Sequence, residues 1–273
     1  MGDLDVKKTD RARPNMVKPL ISIVTPTYNR EGMLGAIHRC VLDQTYGNWE
    51  WVILDDSPQP SAYFLGQHDR RIRYHHAGIR QCVGDKRNWL NAQARGAIIA
   101  HVDDDEYYAP RYLEYMFNQL EAKGADLVKL SAFFIYSAVY DRFAYWDLTE
   151  KTGLHFIWSD QPIAVAHVDE KDTMFKDNHL GYGFSYVYLK TVWSASPFAS
   201  VAFNEDAPFV HAALTQSKAV EFIKDEVGVC IHVLHAANTS ACFPQYAIPA
   251  PLARTFFPGL PHTGRDWADH RMK

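Results

Sequence analysis

The residue types best suited to chemistry are gathered in His101-Val102-Asp103-Asp104-Asp105-Glu106, a run of carboxylates just after the apolar segment Ala97-Ile98-Ile99-Ala100. That order places negative charge at the C-terminal end of a buried strand, the edge at which open α/β sheets bind ligands. Adjacent carboxylates repel, so a positive group is expected among them. Hard oxygen ligands suit Mg²⁺ or Mn²⁺, ions that commonly carry substrate phosphates. The structural alternative is a turn and helix N-cap before Ala109-Pro110-Arg111.

Five further segments have the same two-sided character. Thr25-Pro26-Thr27-Tyr28-Asn29-Arg30 pairs an aromatic ring, able to flank a base, with a guanidinium able to meet a phosphate. Otherwise it is a strand-to-helix turn with Asn29 as N-cap. In Asp55-Asp56 a carboxylate could accept an imide N–H, as in uracil, or close an Asx-turn before Ser57-Pro58. Gly84-Asp85-Lys86-Arg87-Asn88 opens a helix with two cations at the positive end of its dipole. A bound diphosphate would explain them, and a solvated first turn is the alternative. Asn204-Glu205-Asp206 offers a general base, or a capped helix with Pro208 in its first turn. In His232-Val233-Leu234-His235 a histidine could complete a metal shell or be purely structural.

These segments need strands to carry them, and the hydrophobic pattern supplies strands. Leu20–Val24, Trp49–Leu54, Ile72–His75 and Ala97–Val102 read as short strands. Helical spacing of Leu34, Ile37 and Val41, then Gly84–Arg95, then Leu113, Met116, Phe117 and Leu120, alternates with them. Asp126–Leu130 returns as a strand. Alternation with short links predicts an α/β fold built on a mostly parallel sheet flanked by helices. Residues 131–180 are aromatic and β-branched, and predict a smaller antiparallel region over the functional edge. Phe203–Ala219 reads as helix and Val227–Leu234 as a late strand. From Phe243 onward five of the 14 prolines and little periodicity predict a lid, an arm or disorder.

Composition narrows the class. The chain has 273 residues, 47% of them apolar, enough for a sizeable core. A net charge of −4 without a basic stripe argues against nucleic acid as partner. Cys40, Cys82, Cys230 and Cys242 lack metal-site or redox spacing and read as reduced thiols of a cytoplasmic protein. Met1–Lys18 is polar, without a secretory signal, and no apolar run approaches the roughly 18 residues that span a bilayer. Peripheral contact with the inner face of a membrane and the oligomeric state are left open.

Taken in order, Ser22-Ile23-Val24-Thr25-Pro26-Thr27-Tyr28-Asn29-Arg30, Ile53-Leu54-Asp55-Asp56-Ser57, Arg87-Asn88, Ala94-Arg95-Gly96, Val102-Asp103-Asp104-Asp105 and Phe203-Asn204-Glu205-Asp206 resemble family 2 glycosyltransferases of the GT-A fold, over about residues 19–235. The resemblance implies a metal-dependent, inverting transferase that moves a sugar from a nucleotide-sugar donor, usually a UDP-sugar, to a saccharide or glycoconjugate acceptor. By resemblance, Pro26, Tyr28, Arg30 and Asp55 bind the nucleoside, with Asp56 and Asp104 in the same group. Arg87 lies at the base or diphosphate, Asp103 at the ribose, and Asp105 at Mn²⁺ or Mg²⁺ with His235 nearby. Asp206 is the implied base, and Glu205, Gly183 and Trp146 fall on the acceptor side or support the site.

The implied organisation is a flexible leader (1–18), a nucleotide-sugar half (19–130), an acceptor and catalytic half (131–242) and a C-terminal tail or lid (243–273). Three positions depart from the family pattern. Lys86 replaces a small residue, Glu106 stands where a further Asp is common, and Ser57-Pro58 replaces a Gly-Ser turn. Two other functions fit a similar sheet: a sugar-phosphate nucleotidyltransferase, which commonly has a Gly-rich loop absent here, and a non-catalytic sugar-nucleotide-binding scaffold.

Overall fold

A strand covered on both faces must be apolar almost throughout. In the computed structural model, which describes residues 18–258 except 160, 236, 237, 239 and 240, two such runs become β1 (Ile21–Thr27) and β2 (Trp49–Asp55). They pair in parallel, Ile21 opposite Trp49 through Thr27 opposite Asp55. β3 (Ile72–His76) adds beyond β2 and β4 (Ile98–His101) beyond β1, both parallel. Side chains alternate between the faces. Ile21, Ile23, Trp51 and Ile53 therefore join Leu34, Ile37 and Val41 of α1 (Glu31–Leu42) in one core layer. Val24, Val52 and Leu54 form the other, with Leu90 of the later helix over Val83–Gln93. The polar members of these strands satisfy one another: Ser22 donates to Glu50 at 2.7 Å, and Arg73 reaches the same carboxylate at 2.9 Å.

Beyond β2 the chain forms the single turn α2 (Ala62–Leu65), then α3 (Val83–Gln93), β5 (Tyr107–Tyr108) and α4 (Tyr112–Lys123). The next strand, β6 (Leu127–Ser137), runs past the Leu130 end expected from sequence, with all 11 residues buried. It continues because it serves two sets of partners. Its first half lies between β10 (Val187–Leu189) and β11 (Val220–Lys224), its second between β7 (Arg142–Asp147) and β12 (Cys230–Leu234). β6 thereby joins the parallel half to the half after residue 130. The hairpin of β8 (Gly153–Ile157) and β9 (Ala164–Val168) stands apart as the small antiparallel sheet. α5 (Lys190–Ala195) and α6 (Asp206–Thr215) complete this half.

The C-terminal segment differs from its expectation. Through residue 258 it is neither lid nor arm: β13 (Tyr246–Ile248) pairs antiparallel with β7, and α7 (Ala250–Phe256) follows. Aromatic burial holds it, since Phe256 and Phe257 both pack on Phe134 and Phe243 packs on Trp146. Residues 259–273, and 1–17 of the expected leader, lie outside the described residues. No helix among the described residues is long and apolar enough to cross a membrane.

Candidate active site

β1, β2 and β4 end on the same sheet edge, and their parallel register brings three sequence-distant motifs together. Three adjoining clefts follow from it. A cleft of about 350 Å³ is lined by Asp55, Ser57 and Asn29, a second of about 470 Å³ by Pro26, Tyr28, Arg80 and Asp104, and a third of about 500 Å³ by Asp105, Gly183, Glu205 and Asp206. Arg30 lines all three, and Arg87, Asp103 and Asp105 line both larger ones. Among the described residues five non-glycine residues have positive φ, and three of them, Asn29 (53°), Tyr182 (62°) and Asn204 (59°), line these clefts. Strained backbone of this kind tends to collect at functional sites.

On the β1–β2 side the acids are already partnered. Asp55 accepts from Ser57 N–H at 2.9 Å and from the Tyr74 hydroxyl at 2.6 Å. Asp56 is buried and takes Lys86 Nζ at 2.8 Å, Gln81 N–H at 2.7 Å and Arg80 at 3.3 Å. It lines none of the three clefts and acts on them through Lys86 and Arg80, which line the second. The Arg80 guanidinium carbon sits 3.4 Å from the centre of the Tyr28 ring, covering the face proposed for a base.

The two cations that open α3 are spoken for. Lys86 is buried against Asp56 and the Thr27 carbonyl. Arg87, also buried, donates to Glu205 at 2.8 Å and to Asp103 at 3.4 Å. Burial works against the Arg87 charge, but Asp103 and Glu205 hold it protonated. These carboxylates explain two cations at a helix N-terminus without a bound anion. Arg87 still lines two clefts and joins the acidic turn to the start of α6.

The three consecutive aspartates differ. Burial raises Asp103, with Arg87 pulling the other way. Burial, and then the Asp105 charge, push Asp104 up to about 8, and its Oδ2 is buried without a hydrogen-bond partner among the described residues. Burial also opposes the Asp105 charge, but a hydrogen bond from His235 at 3.1 Å and Arg30 at 3.3 Å hold that carboxyl below the usual range. Asp105 with His235 offers two donor atoms. No cluster of three or more His, Cys, Asp and Glu among the described residues is arranged to hold a metal ion unaided.

Asp206 begins α6. Its Oδ2 accepts from Gly183 N–H at 2.9 Å and its Oδ1 from Ala207 N–H at 2.8 Å. Glycine at 183 allows this close approach, since a Cβ there would meet Asp206 Cβ at 3.0 Å and press on the carboxylate. Burial, and then the Glu205 charge, raise Asp206 above the ordinary aspartate range. A half-buried carboxylate held by two backbone N–H groups, with raised basicity and one side on a cleft, can take a proton from a hydroxyl.

Residues 22–179, more than half of the chain, match Glycosyl transferase family 2. The chain belongs to that family. Over 103 residues it is 32% identical to the Escherichia coli protein named UDP-Glc:alpha-D-GlcNAc-diphosphoundecaprenol beta-1,3-glucosyltransferase WfgD, covering 37% of this chain and 41% of WfgD. Among solved structures, TarS of S. aureus in complex with UDP-GlcNAc superposes with a TM-score of 0.57 at 15% identity, over 80% of this chain and 59% of TarS. The mannosyltransferase PcManGT from Pyrobaculum calidifontis, solved with GDP-Man and Mn²⁺, gives 0.54 at 14% identity, over 82% and 59%. The chain thus spans less than two thirds of each of these relatives. At such identities the structural likeness establishes the GT-A fold, in agreement with the α/β expectation.

Within this family member the expected residues fall into two groups. Pro26, Tyr28, Arg30, Asp55, Arg87, Asp103, Asp104, Asp105, Glu205, Asp206 and Gly183 all line the clefts. The other three do not line them, and of these His235 lies behind Asp105, 3.1 Å from its Oδ2. Asp56 is withdrawn into its ion pairs, and Trp146 is 1% exposed, packed edge-on beneath Tyr182 with ring centres 5.0 Å apart. Trp146 shapes the wall and cannot touch an acceptor. Asn29 is also no N-cap. Arg30 holds that position, and the Asn29 N–H goes to Ser57 Oγ at 2.8 Å.

Sequence reasoning missed Arg80, which belongs to no motif and gains meaning only by lying over Tyr28. It missed Tyr182, although two flanking glycines, Gly181 and Gly183, were a readable sign of special backbone. It read Phe203 as part of the late acidic motif and a helix start without giving it a site role, whereas this apolar side chain precedes α6 and is 63% exposed on the cleft beside Asp206.

Proposed function

We propose that the chain transfers a sugar from a nucleotide-sugar, with UDP as the leaving group, to a hydroxyl of a saccharide or glycoconjugate acceptor, with inversion at the anomeric carbon. The observation that carries this reading is the line of three clefts, with Asp55 in the first, Arg30, Arg87, Asp103 and Asp105 at the junctions, and Asp206 on the far wall. Asp55 suits an imide N–H, Tyr28 a base face once Arg80 has moved, and the arginines a diphosphate. The UDP-GlcNAc bound by TarS and the GDP-Man bound by PcManGT support a nucleotide-sugar donor. The acceptor in WfgD's name supports a glycoconjugate on the other side.

In the proposed reaction Asp206 accepts the proton of the acceptor hydroxyl as its oxygen attacks the anomeric carbon. The new carbon–oxygen bond forms on the face opposite the leaving diphosphate, which departs with the electron pair of the broken bond. The raised basicity of Asp206 helps, and its two backbone hydrogen bonds aim it. Asp105 and His235 fit Mn²⁺ or Mg²⁺, since a carboxylate held ionised and an imidazole are suitable donors, and two protein donors leave positions for diphosphate oxygens. Such an ion would neutralise charge on the leaving group.

The test is Asp105→Ala, with transfer and Mn²⁺-dependent UDP binding measured in parallel. Transfer should be nearly abolished, UDP binding should lose its metal dependence, and the circular dichroism spectrum should be unchanged. Full activity in this variant, or wild-type activity undiminished by excess chelator, removes the metal from the mechanism.

A further inference from the structure

Glu106 departs from the family pattern, and nothing in the proposed reaction uses it. It is 3% exposed, and both its oxygens are engaged by one strand. Oε1 meets His232 Nδ1 at 2.5 Å and Oε2 accepts from Val233 N–H at 2.6 Å. The strand is β12, which ends one residue before His235, and His232 stands three residues before it. Glu106 itself directly follows Asp105.

The backbone shows why this contact matters. β12 pairs antiparallel with β5 only at Cys230 with Tyr108 and Ile231 with Tyr107. Beyond Ile231 in one strand and Tyr107 in the other that ladder stops. The next residues outward are His232 and Glu106, and here a side chain replaces the ladder. Further out again, Asp105 Oδ2 meets His235 Nε2 at 3.1 Å. Phe184 stacks on the His232 ring at 5.3 Å and 13°, holding the imidazole plane.

We propose that Glu106 is a positioning residue: its two-point grip on β12 sets the separation of Asp105 and His235, the pair assigned above to the divalent cation. The proposal rests on that metal reading. Glutamate suits the place where aspartate is common because the extra methylene, about 1.5 Å, lets one carboxylate span from the acidic turn to both the ring and the backbone of β12. Asp at 106 could not hold both partners from the same backbone position. Residues that orient metal ligands from behind typically change metal affinity 10- to 100-fold when altered.

The experiment titrates Mn²⁺ into the purified full-length chain with UDP present, reading free Mn²⁺ by electron paramagnetic resonance. Circular dichroism and metal-free UDP binding are measured alongside. Glu106→Asp keeps the charge and loses the reach, and should weaken Mn²⁺ binding roughly 10- to 100-fold with fold and metal-free UDP affinity unchanged. A second pair covers the case in which Glu106→Asp does not fold. His232→Asn retains an N–H near the Nδ1 position and should bind Mn²⁺ within about threefold of wild type. His232→Phe keeps the stacking, loses the donor and should resemble Glu106→Asp. Wild-type Mn²⁺ affinity in Glu106→Asp, or equal affinities in the two His232 variants, overturns the positioning role and leaves the metal reading standing. A wild-type chain that binds no Mn²⁺ overturns both.

Discussion

The two walls of the site handle negative charge differently. On the proposed donor side, at the ends of β1, β2 and β4, three carboxylates sit against cations: Asp56 with Lys86, Asp103 with Arg87, Asp105 with Arg30. On the proposed acceptor side Asp206 has no ion pair among the described residues and is held by two backbone N–H groups. Asp105, beside Arg30 and His235, is held below the usual carboxylate range and is a poor base, which suits the proposed counter-ion. Asp206, half-buried and held by backbone dipoles, keeps more affinity for a proton. What surrounds them thus distinguishes Asp105 from the proposed base, although burial raises Asp103 and Asp104 as well. Glu205 links the walls, since it pairs with Arg87 and is the neighbouring charge that raises Asp206.

The largest expected effect breaks the comparison directly. Asp206→Asn keeps the shape and most hydrogen bonding but cannot accept a proton. Turnover should fall by roughly 10²- to 10⁴-fold, with UDP binding and melting temperature nearly unchanged. Near-normal turnover would make this acid only part of a helix start. Glu205→Gln should behave in the opposite way, costing stability first. It removes one of the two carboxylates that balance buried Arg87 and leaves Asp103, so the cost should stay below the about 3–5 kcal/mol of a fully stranded buried charge, and denaturant titration beside Asp206→Asn would separate the two roles. If Glu205→Gln is as stable as wild type but catalytically dead, the base is Glu205.

Smaller effects sharpen the donor side. Asp55→Ala removes a hydrogen bond to a charged group, a contribution on the order of 1.5–3 kcal/mol, so UDP affinity should drop roughly 10- to 100-fold with little change in turnover at saturation. Calorimetry with UDP tests this, and unchanged affinity would move the base elsewhere. The smallest effect is a shift in pH dependence. Asp206 works ionised and its pKa lies above the ordinary value of about 4, so turnover should fall with acidification at a higher pH than an unperturbed aspartate would give. Glu205→Gln removes a negative neighbour and frees Arg87, and both changes lower the Asp206 pKa. The acid limb of its kcat profile should therefore move to lower pH. An unmoved limb would mean that another group controls it.

Much of this was legible in the chain itself. Alternating apolar runs and helical periods determined the parallel half, because buried strands and amphipathic helices must carry those patterns wherever they fold. The acidic and aromatic motifs at strand ends determined which residues would share an edge, because parallel strands all end on the same side. Tertiary structure alone decided what those residues touch. The length of β6 came from partners as distant in sequence as β11 and β12. The strapping of residues 243–258 onto β7 came from aromatic packing that no periodicity announces. Asp55 and Asp56 are neighbours of one type, yet one lines a cleft and the other is spent on Lys86, because successive side chains leave a strand end in different directions. The sequence offered Arg87 as a phosphate-binding cation, while the fold gave it Asp103 and Glu205. Periodicity depends on near neighbours in the chain, whereas the pairing of charges at Arg87 joins residues from 16 to 118 positions apart.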